Sequence, residues 1–152
     1  MKSARIVVLV MVTALICGCE TQPRAGSSVE AEGDQIVVAV LTDLVTRADE
    51  TGETVRFVEL AGSELEHLRK LCGHRYTIEP SSASKPIGER LYLGNTSREG
   101  VWLTASVGPV HGRNAFAVGG YSWPTGIASF DFKLRKQNGF WRIRTFKTRA
   151  VS

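Results

Sequence analysis

The sequence predicts an α+β domain in which two N-terminal helices pack on an antiparallel meander sheet. Apolar residues recur at helical spacing in two early segments, residues 36–45 and 65–72. From residue 76 onward, apolar and polar residues alternate in short runs that are separated by Gly, Pro and Asn. Helices that precede a series of hairpins are expected to cover one face of the resulting sheet.

The first helix is predicted over residues 35–47. Asp34 is a good N-cap, and the apolar residues that follow it at helical spacing are Ile36, Val37, Val40, Leu41, Leu44 and Val45. Because several of these residues are β-branched, a strand is an alternative for the same segment. A short strand over residues 55–60 is predicted to follow the Thr51-Gly52 turn.

The second helix is predicted to begin at Gly62 and Ser63 and to end before Gly73. Ser63 and Glu66 have the spacing of a capping box, and glycine is the commonest residue just beyond a helix. The residues expected on its apolar face are Leu65, Leu68, Leu71 and Cys72.

The remaining chain predicts short strands over residues 75–79 and 91–93, followed by four longer antiparallel strands. Alternation is clearest in residues 101–107, 115–118, 130–135 and 141–144, with turns predicted at Gly108-Pro109, Gly112, Pro124-Thr125-Gly126 and Asn138-Gly139. Gly119-Gly120 within a strand indicates a bulge or the close approach of another backbone. Trp141 is expected to point into the core.

The first 18 residues are predicted to be a signal peptide. Lys2 and Arg5 precede an apolar run of 11 residues, and Gly18 stands before Cys19. Eleven helical residues reach only about 17 Å, whereas a bilayer core is about 30 Å thick, so a full membrane span is disfavoured.

The end of this segment, Ile16-Cys17-Gly18-Cys19, resembles the bacterial lipobox, with Ile16 where leucine is usual and Cys17 as an uncommon second residue. The resemblance implies that Cys19 becomes the N-terminus and carries a diacylglyceryl group that anchors the protein to a membrane of the cell envelope, facing the periplasm or the exterior. Residues 19–33 are polar and are predicted to form a flexible tether, with the folded domain over residues 34–152.

Composition limits the partners and the chemistry. Removal of Lys2 and Arg5 with the signal leaves 17 Lys and Arg against 15 Asp and Glu, a net charge of +2, so the protein is not strongly basic. Nucleic acid is not expected as a partner of an exported protein. With Cys17 removed and Cys19 alkylated, Cys72 has no disulfide partner.

Residues 88–152 resemble a group of bacterial lipoproteins and secreted proteins. The resemblance is carried by Gly119-Gly120-Tyr121 at the end of a strand, by a basic hairpin with an Asn138-Gly139 turn and Trp141, and by the final Ser152. The layout also resembles the nuclear-transport-factor-2-like and cystatin-like α+β architecture. That resemblance implies a helix packed in a curved sheet, and it implies no catalytic residue.

Two surfaces are candidates for binding. Trp102, Tyr121 and Trp123 are predicted to line a cleft between helix and sheet, although the same residues suit the core and rim of the sheet. Seven Lys and Arg follow Asp131 with no acidic residue among them. Lys133, Arg135, Arg142 and Arg144 of this set are predicted to form one basic face that contacts an anionic envelope polymer, a phospholipid headgroup or an envelope protein. A plain solvated face is the alternative.

No motif predicts a cofactor, a metal or catalysis. His67, Cys72 and His74 lack zinc spacing and a fourth ligand, and His67 does not face Cys72 on a helix. The sequence therefore predicts an envelope lipoprotein that acts as a non-enzymatic binding or structural module. The alternative is a small hydrolase or lyase of the nuclear-transport-factor-2-like type, which would bring His111, Asp131 and Tyr121 together in a pocket.

Overall fold

The computed structural model describes residues 25–48 and 53–152 and has an α+β fold. It contains helices α1 (Ala25–Ala48) and α2 (Gly62–Cys72) and a 3-10 turn at Ser81–Ala83. The strands are β1 (Val55–Val58), β2 (Ile78–Pro80), β3 (Ser84–Ile87), β4 (Arg90–Leu93), β5 (Glu99–His111), β6 (Asn114–Trp123), β7 (Gly126–Gln137) and β8 (Phe140–Val151). The predicted signal peptide and Cys19 lie outside the described residues.

Helix α1 confirms the predicted helix and not the strand alternative, but it begins at Ala25, inside the segment predicted to be a flexible tether. Ile36, Val40 and Leu44 are fully buried on its inner side. Because nucleation is the costly step of helix formation, a helix that this packing holds in place can extend by further turns toward Ala25 at little cost in free energy. The Nζ atom of Lys136 in β7 lies 2.6 Å from the Oε1 atom of Glu32, which holds the earlier part of the helix to the sheet.

The sheet is mixed rather than antiparallel throughout. Its strand order is β2-β1-β5-β6-β7-β8, and β4 of the β3–β4 hairpin also pairs with the start of β5. Strands β5 to β8 are antiparallel neighbours, but β1 runs parallel to both β2 and β5, so the prediction of a purely antiparallel sheet is wrong here. The reason is that α2 connects β1 to β2 as a crossover, the connection that parallel strands require.

The ends of α2 differ in part from the prediction. Its N-cap is Ala61, and no side chain caps the helix, so the predicted capping box is wrong; Glu66 instead forms an ion pair of 2.7 Å with Arg69. Leu71, expected on the apolar face, is 53% exposed. The predicted stop at Gly73 is confirmed, because Gly73 has a φ of 74° and its N–H donates to the carbonyl of Arg69 at 3.0 Å. Within the described residues, neither helix is both long and apolar enough to cross a membrane.

The turn predictions are confirmed at Gly112, at Pro124-Thr125 and at Asn138-Gly139, and the prediction at Gly108-Pro109 is wrong. Asn138 and Gly139 have φ values of 51° and 83° and form the two-residue loop between Gln137 and Phe140. Gly108-Pro109 lies inside β5, where the register with β6 shifts between Val107 and Val110. A bulge accommodates proline, which cannot donate a ladder hydrogen bond, without ending the strand.

Helix α1 covers one side of strands β5 to β8, which we call the helix-covered face. Its buried side chains are Leu103, Ala115, Ala117, Phe132, Leu134 and Trp141, so the inward prediction for Trp141 is confirmed. Alternate residues of the same strands point to the opposite side, which we call the open face. The exposed or half-buried residues of the open face on β6, β7 and β8 include Asn114, Phe116, Val118, Asp131, Lys133, Arg135, Arg142, Thr145 and Lys147.

Arg56 of β1 is a fully buried cation among apolar neighbours. Its Nε atom donates to the carbonyl of Val45 at 3.2 Å, and its guanidinium lies 4.7 Å from the centre of the Tyr76 ring. The Val45 carbonyl belongs to the last turn of α1, where carbonyls lack partners within the helix and a cation is favoured. Arg56 thus joins the end of α1 to β1.

Candidate functional site

The register of β6, β7 and β8 sorts the open face into rows that cross the three strands. One row contains Asn114, Arg135 and Arg142, and the next contains Phe116, Lys133 and Thr145. The structure therefore brings Lys133, Arg135 and Arg142 together on one face, as predicted from their alternation. The strand pairing adds Lys147, which lies across from Asp131 and is not among the site residues that the sequence predicts.

Arg144 occupies a different kind of position from the other three predicted cations. The register between β7 and β8 shifts so that Lys133 pairs with Thr145 and Leu134 pairs with Ile143, which leaves Arg144 as an extra residue in β8. Its side chain is exposed at this bulge. The alternation of the sequence predicts that Arg144 lies on the same face as Arg142. That prediction fails because the bulge interrupts the two-residue period of the strand.

Among the described residues, most cations of β7 and β8 have no carboxylate within 4 Å. Lys136 pairs with Glu32 at 2.6 Å, and Arg149 lies 3.6 Å from Asp131. Within the described part of the chain, no carboxylate lies within 4 Å of the other five, which are Lys133, Arg135, Arg142, Arg144 and Lys147. Arg135 and Arg142 are direct cross-strand neighbours, a placement of like charges that is destabilising without a counter-ion.

An apolar groove of about 310 Å³ crosses this cationic surface. It runs beside Phe116, which is 43% exposed, and Lys133 and Lys147 lie along it. The Nζ atom of Lys133 lies 5.8 Å from the centre of the Phe116 ring. Phe116 was not among the predicted binding residues, and only the strand pairing shows that it shares a row with Lys133.

The sheet also carries positive charge at the end where the β5–β6 and β7–β8 turns meet. The N–H of Lys136 donates to the carbonyl of Arg113 at 2.8 Å and so ties the two turns together. A polar cavity with a volume of about 670 Å³ lies here, and it is lined by Arg113, Arg135, Lys136 and the Asn138-Gly139 turn. Phe140, next to this turn, is 70% exposed. We call Arg113, Arg135, Phe140 and Arg142 the hairpin tip.

The predicted aromatic cleft is divided between two cavities. Trp102 lines a cavity of about 360 Å³ together with Glu59, Ser81 and Ser84, and its indole N–H donates to the Ser84 hydroxyl at 2.9 Å. Tyr121 and Trp123 line a different cavity of about 390 Å³ near the end of α1. The structure does not bring the three rings together, because Trp102 pairs with Ser122 and so points away from Tyr121.

Tyr121 is held in an aromatic cluster on the helix-covered face. Its ring centre lies 5.4 Å from that of Phe130 in an edge-to-face arrangement, and the Arg47 guanidinium stacks on Phe146 at 3.7 Å. Burial raises the pKa of Tyr121 to about 12, against the opposing effect of the nearby Arg47 cation. Arg47 forms an ion pair with Asp43 of the same helix. Tyr121 is therefore a protonated packing residue at neutral pH.

The residues of the hydrolase alternative do not converge. His111 is exposed at the β5–β6 turn, Asp131 lies on the open face, and Tyr121 belongs to the helix-covered face. Burial raises the pKa of the Cys72 thiol, which keeps it in the less nucleophilic protonated form. His67 and His74 are exposed, and no cluster of three His, Cys, Asp or Glu side chains among the described residues has a metal-binding arrangement.

In comparisons with known proteins, the chain matches no family model, no curated protein and no solved structure.

Proposed function

We propose that this protein is a membrane-anchored envelope lipoprotein whose folded domain is a non-enzymatic module that binds anionic groups of the cell envelope. The anchor rests on the lipobox-like sequence that ends in Cys19. The binding activity rests on one observation: five cations of β7 and β8, including the facing pair Arg135 and Arg142, have no carboxylate partner within the described chain.

The chemistry of the open face suits phosphate or carboxylate groups carried by an envelope polymer or by a phospholipid. Arginine offers a planar set of donors that matches both groups, and two facing guanidiniums can share one anion. Alternate residues of a strand lie about 7 Å apart and neighbouring strands about 5 Å apart, so Lys133, Arg135 and Arg142 form a closely spaced group. A bound anion would also relieve the repulsion between Arg135 and Arg142.

The resemblance to the nuclear-transport-factor-2-like and cystatin-like architectures, with a curved sheet, remains part of this proposal. It is compatible with a helix that packs on one side of a long sheet and leaves the other side open. A hydrolase or lyase activity is not proposed, because Tyr121 lies on the helix-covered face, Asp131 lies on the open face and His111 lies at the β5–β6 turn.

The proposal is tested by titrating the full chain with soluble inorganic polyphosphate in a calorimeter. The double variant Arg135→Gln and Arg142→Gln should bind about tenfold more weakly, the equivalent of about 1.4 kcal/mol. Binding should also weaken as salt shortens the screening length from about 10 Å at 0.1 M to about 3 Å at 1 M.

The control is the double variant Lys70→Gln and Lys85→Gln, which removes the same charge from exposed positions away from β6, β7 and β8. It should bind polyphosphate almost as the unaltered chain does. Equal losses in the two double variants would show that net charge alone, and not the open face, attracts the anion.

A further inference from the structure

The hairpin tip combines the features of a surface that rests on a bilayer. Phe140 is the most exposed large apolar side chain among the described residues, at 70%. It lies beside the Asn138-Gly139 turn, with Arg135 and Arg142 close by in the β7–β8 ladder. Arg113 reaches the same place from the β5–β6 turn. An aromatic ring that projects among cations is suited to the interface between lipid headgroups and acyl chains.

Helix α1 leads toward the same end of the molecule. Near its C-terminus, Arg47 stacks on Phe146 in the middle of β8, whereas Glu32 binds Lys136 close to the hairpin. The helix therefore runs along the sheet with its N-terminal half directed to the hairpin tip. The seven residues from Glu32 back to Ala25 carry it only about 10 Å farther.

The distance from α1 to the proposed lipid anchor is also short. Cys19 lies six positions before Ala25, and six residue steps span at most about 21 Å even when fully extended. A lipid attached to Cys19 would thus keep the hairpin tip within a few tens of ångströms of the membrane surface. This proximity raises the effective concentration of the tip at the headgroups.

We propose that the hairpin tip docks on the anionic surface of the membrane to which the protein is anchored, and so fixes the orientation of the domain. The occupant is a phospholipid bilayer with acidic headgroups, recognised by Arg113, Arg135 and Arg142, with Phe140 inserted among the headgroups. Lys and Arg side chains near an anionic bilayer are attracted to its surface, and the attraction grows with each added cation. The inference rests on the proposed function, because it assigns the source of the anion to lipid.

The test places a fluorescent side chain at the tip. The full chain carrying Phe140→Trp, in the form that the host cell processes, is incorporated into vesicles that contain phosphatidylglycerol with brominated acyl chains. Bromine quenches an indole only at close range, so the fluorescence added by Phe140→Trp should be quenched. Replacement of Arg113 and Arg142 by Gln should reduce that quenching.

The matched control is Ile87→Trp. Ile87 is a 53% exposed apolar residue on the β3–β4 hairpin, which pairs with the opposite end of β5. Its added fluorescence should remain unquenched in the same vesicles. Equal quenching at the two sites, or none at Phe140→Trp, would overturn the docking proposal.

A second pair of results separates this inference from the proposed function. If polyphosphate binds to the open face but Phe140→Trp is not quenched, anion binding stands and the lipid assignment fails. If polyphosphate does not bind and Phe140→Trp is not quenched, both fail. Quenching that persists in vesicles of neutral phosphatidylcholine alone would also overturn the inference, since acidic headgroups would then play no part.

Discussion

The helix-covered face and the open face belong to the same strands, yet the side chains of one face are buried and apolar and those of the other are exposed and largely charged. On one side, Phe132 is 1% exposed and packs beneath α1; on the other, Phe116 is 43% exposed beside Lys133. One face buries apolar area and stabilises the fold, whereas the other carries cations that have no carboxylate within 4 Å in the described part of the chain. The comparison shows that alternate residues of one strand can have opposite roles: one set stabilises the fold, and the other remains available for the anion binding that we propose.

The largest expected difference between the faces is in the cost of removing a phenylalanine ring. Phe132→Ala should lower the free energy of unfolding by about 3–5 kcal/mol, because it leaves a cavity under α1. Phe116→Ala should cost less than about 1 kcal/mol, since much of that ring is already in water. Urea denaturation of both variants gives the two values, and similar losses would show that the open face is not open.

Adjacent glycines of β6 sharpen the comparison at the level of the backbone. A Cβ atom on Gly119 would lie 2.7 Å from Cγ1 of Val40 in α1, and a Cβ atom on Gly120 would lie 2.2 Å from the Ala128 carbonyl oxygen in β7. The end of the Val40 side chain can move to make room for a Cβ atom, whereas the Ala128 carbonyl is held in place by the pairing of β6 with β7. We expect Gly119→Ala to cost about 1–3 kcal/mol and Gly120→Ala to cost more.

Thermal unfolding measures this pair of substitutions directly. A larger loss in Gly119→Ala than in Gly120→Ala would mean that the contact with α1, and not the strand pairing, is the tighter of the two. The predicted close approach at Gly119-Gly120 is confirmed, whereas a bulge is not present there, because β6 pairs with β7 in continuous register from Asn114 to Trp123.

The pH dependence of stability tests the burial of Tyr121. Its pKa is about 12 in the folded protein against 10.0 for the free side chain, so the folded state holds this proton more tightly than the unfolded chain does. The stabilisation is complete below pH 10 and is lost as the pH rises toward 12. Tyr121→Phe should therefore show a weaker fall in stability over this range. Identical pH profiles would contradict the assigned burial.

The sequence predicted those elements whose signals are local. The period of α1, the Asn138-Gly139 hairpin, the Gly73 stop and the inward direction of Trp141 all depend on residues close together in the chain, and all are confirmed. The parallel pairing of β1 was missed because it depends on where α2 returns the chain, which no local period records.

The candidate site was predicted in part for the same reason. Alternation along β7 placed Lys133 and Arg135 on one side, but Phe116 and Lys147 joined them only through cross-strand register. Bulges in β5 and β8 shift the strand register, and the sequence does not reveal them. For this reason Gly108-Pro109 was predicted as a turn, and Arg144 as a regular member of the open face. Trp102 was predicted to lie beside Tyr121, because the sequence does not show that Trp102 pairs with Ser122 and therefore points to the opposite face of the sheet.

The smallest expected effect concerns stability on the open face. Arg142→Gln removes the like-charge contact with Arg135, so the free energy of unfolding should rise by a few tenths of a kcal/mol at low salt. High salt should erase the gain, because it screens exposed charges. A clear loss of stability at low salt would mean that Arg142 makes a stabilising contact within the folded domain and is therefore not available to bind an anion.

The most direct test of the proposed anion binding by the open face is a map of backbone amide chemical shifts of the full chain during titration with polyphosphate. We expect the largest changes at Lys133, Arg135 and Arg142 and at their neighbours on β6 and β8, with α2 and β2 almost unchanged. Changes that are largest in α2, or spread evenly over the surface, would contradict the assignment of anion binding to the open face.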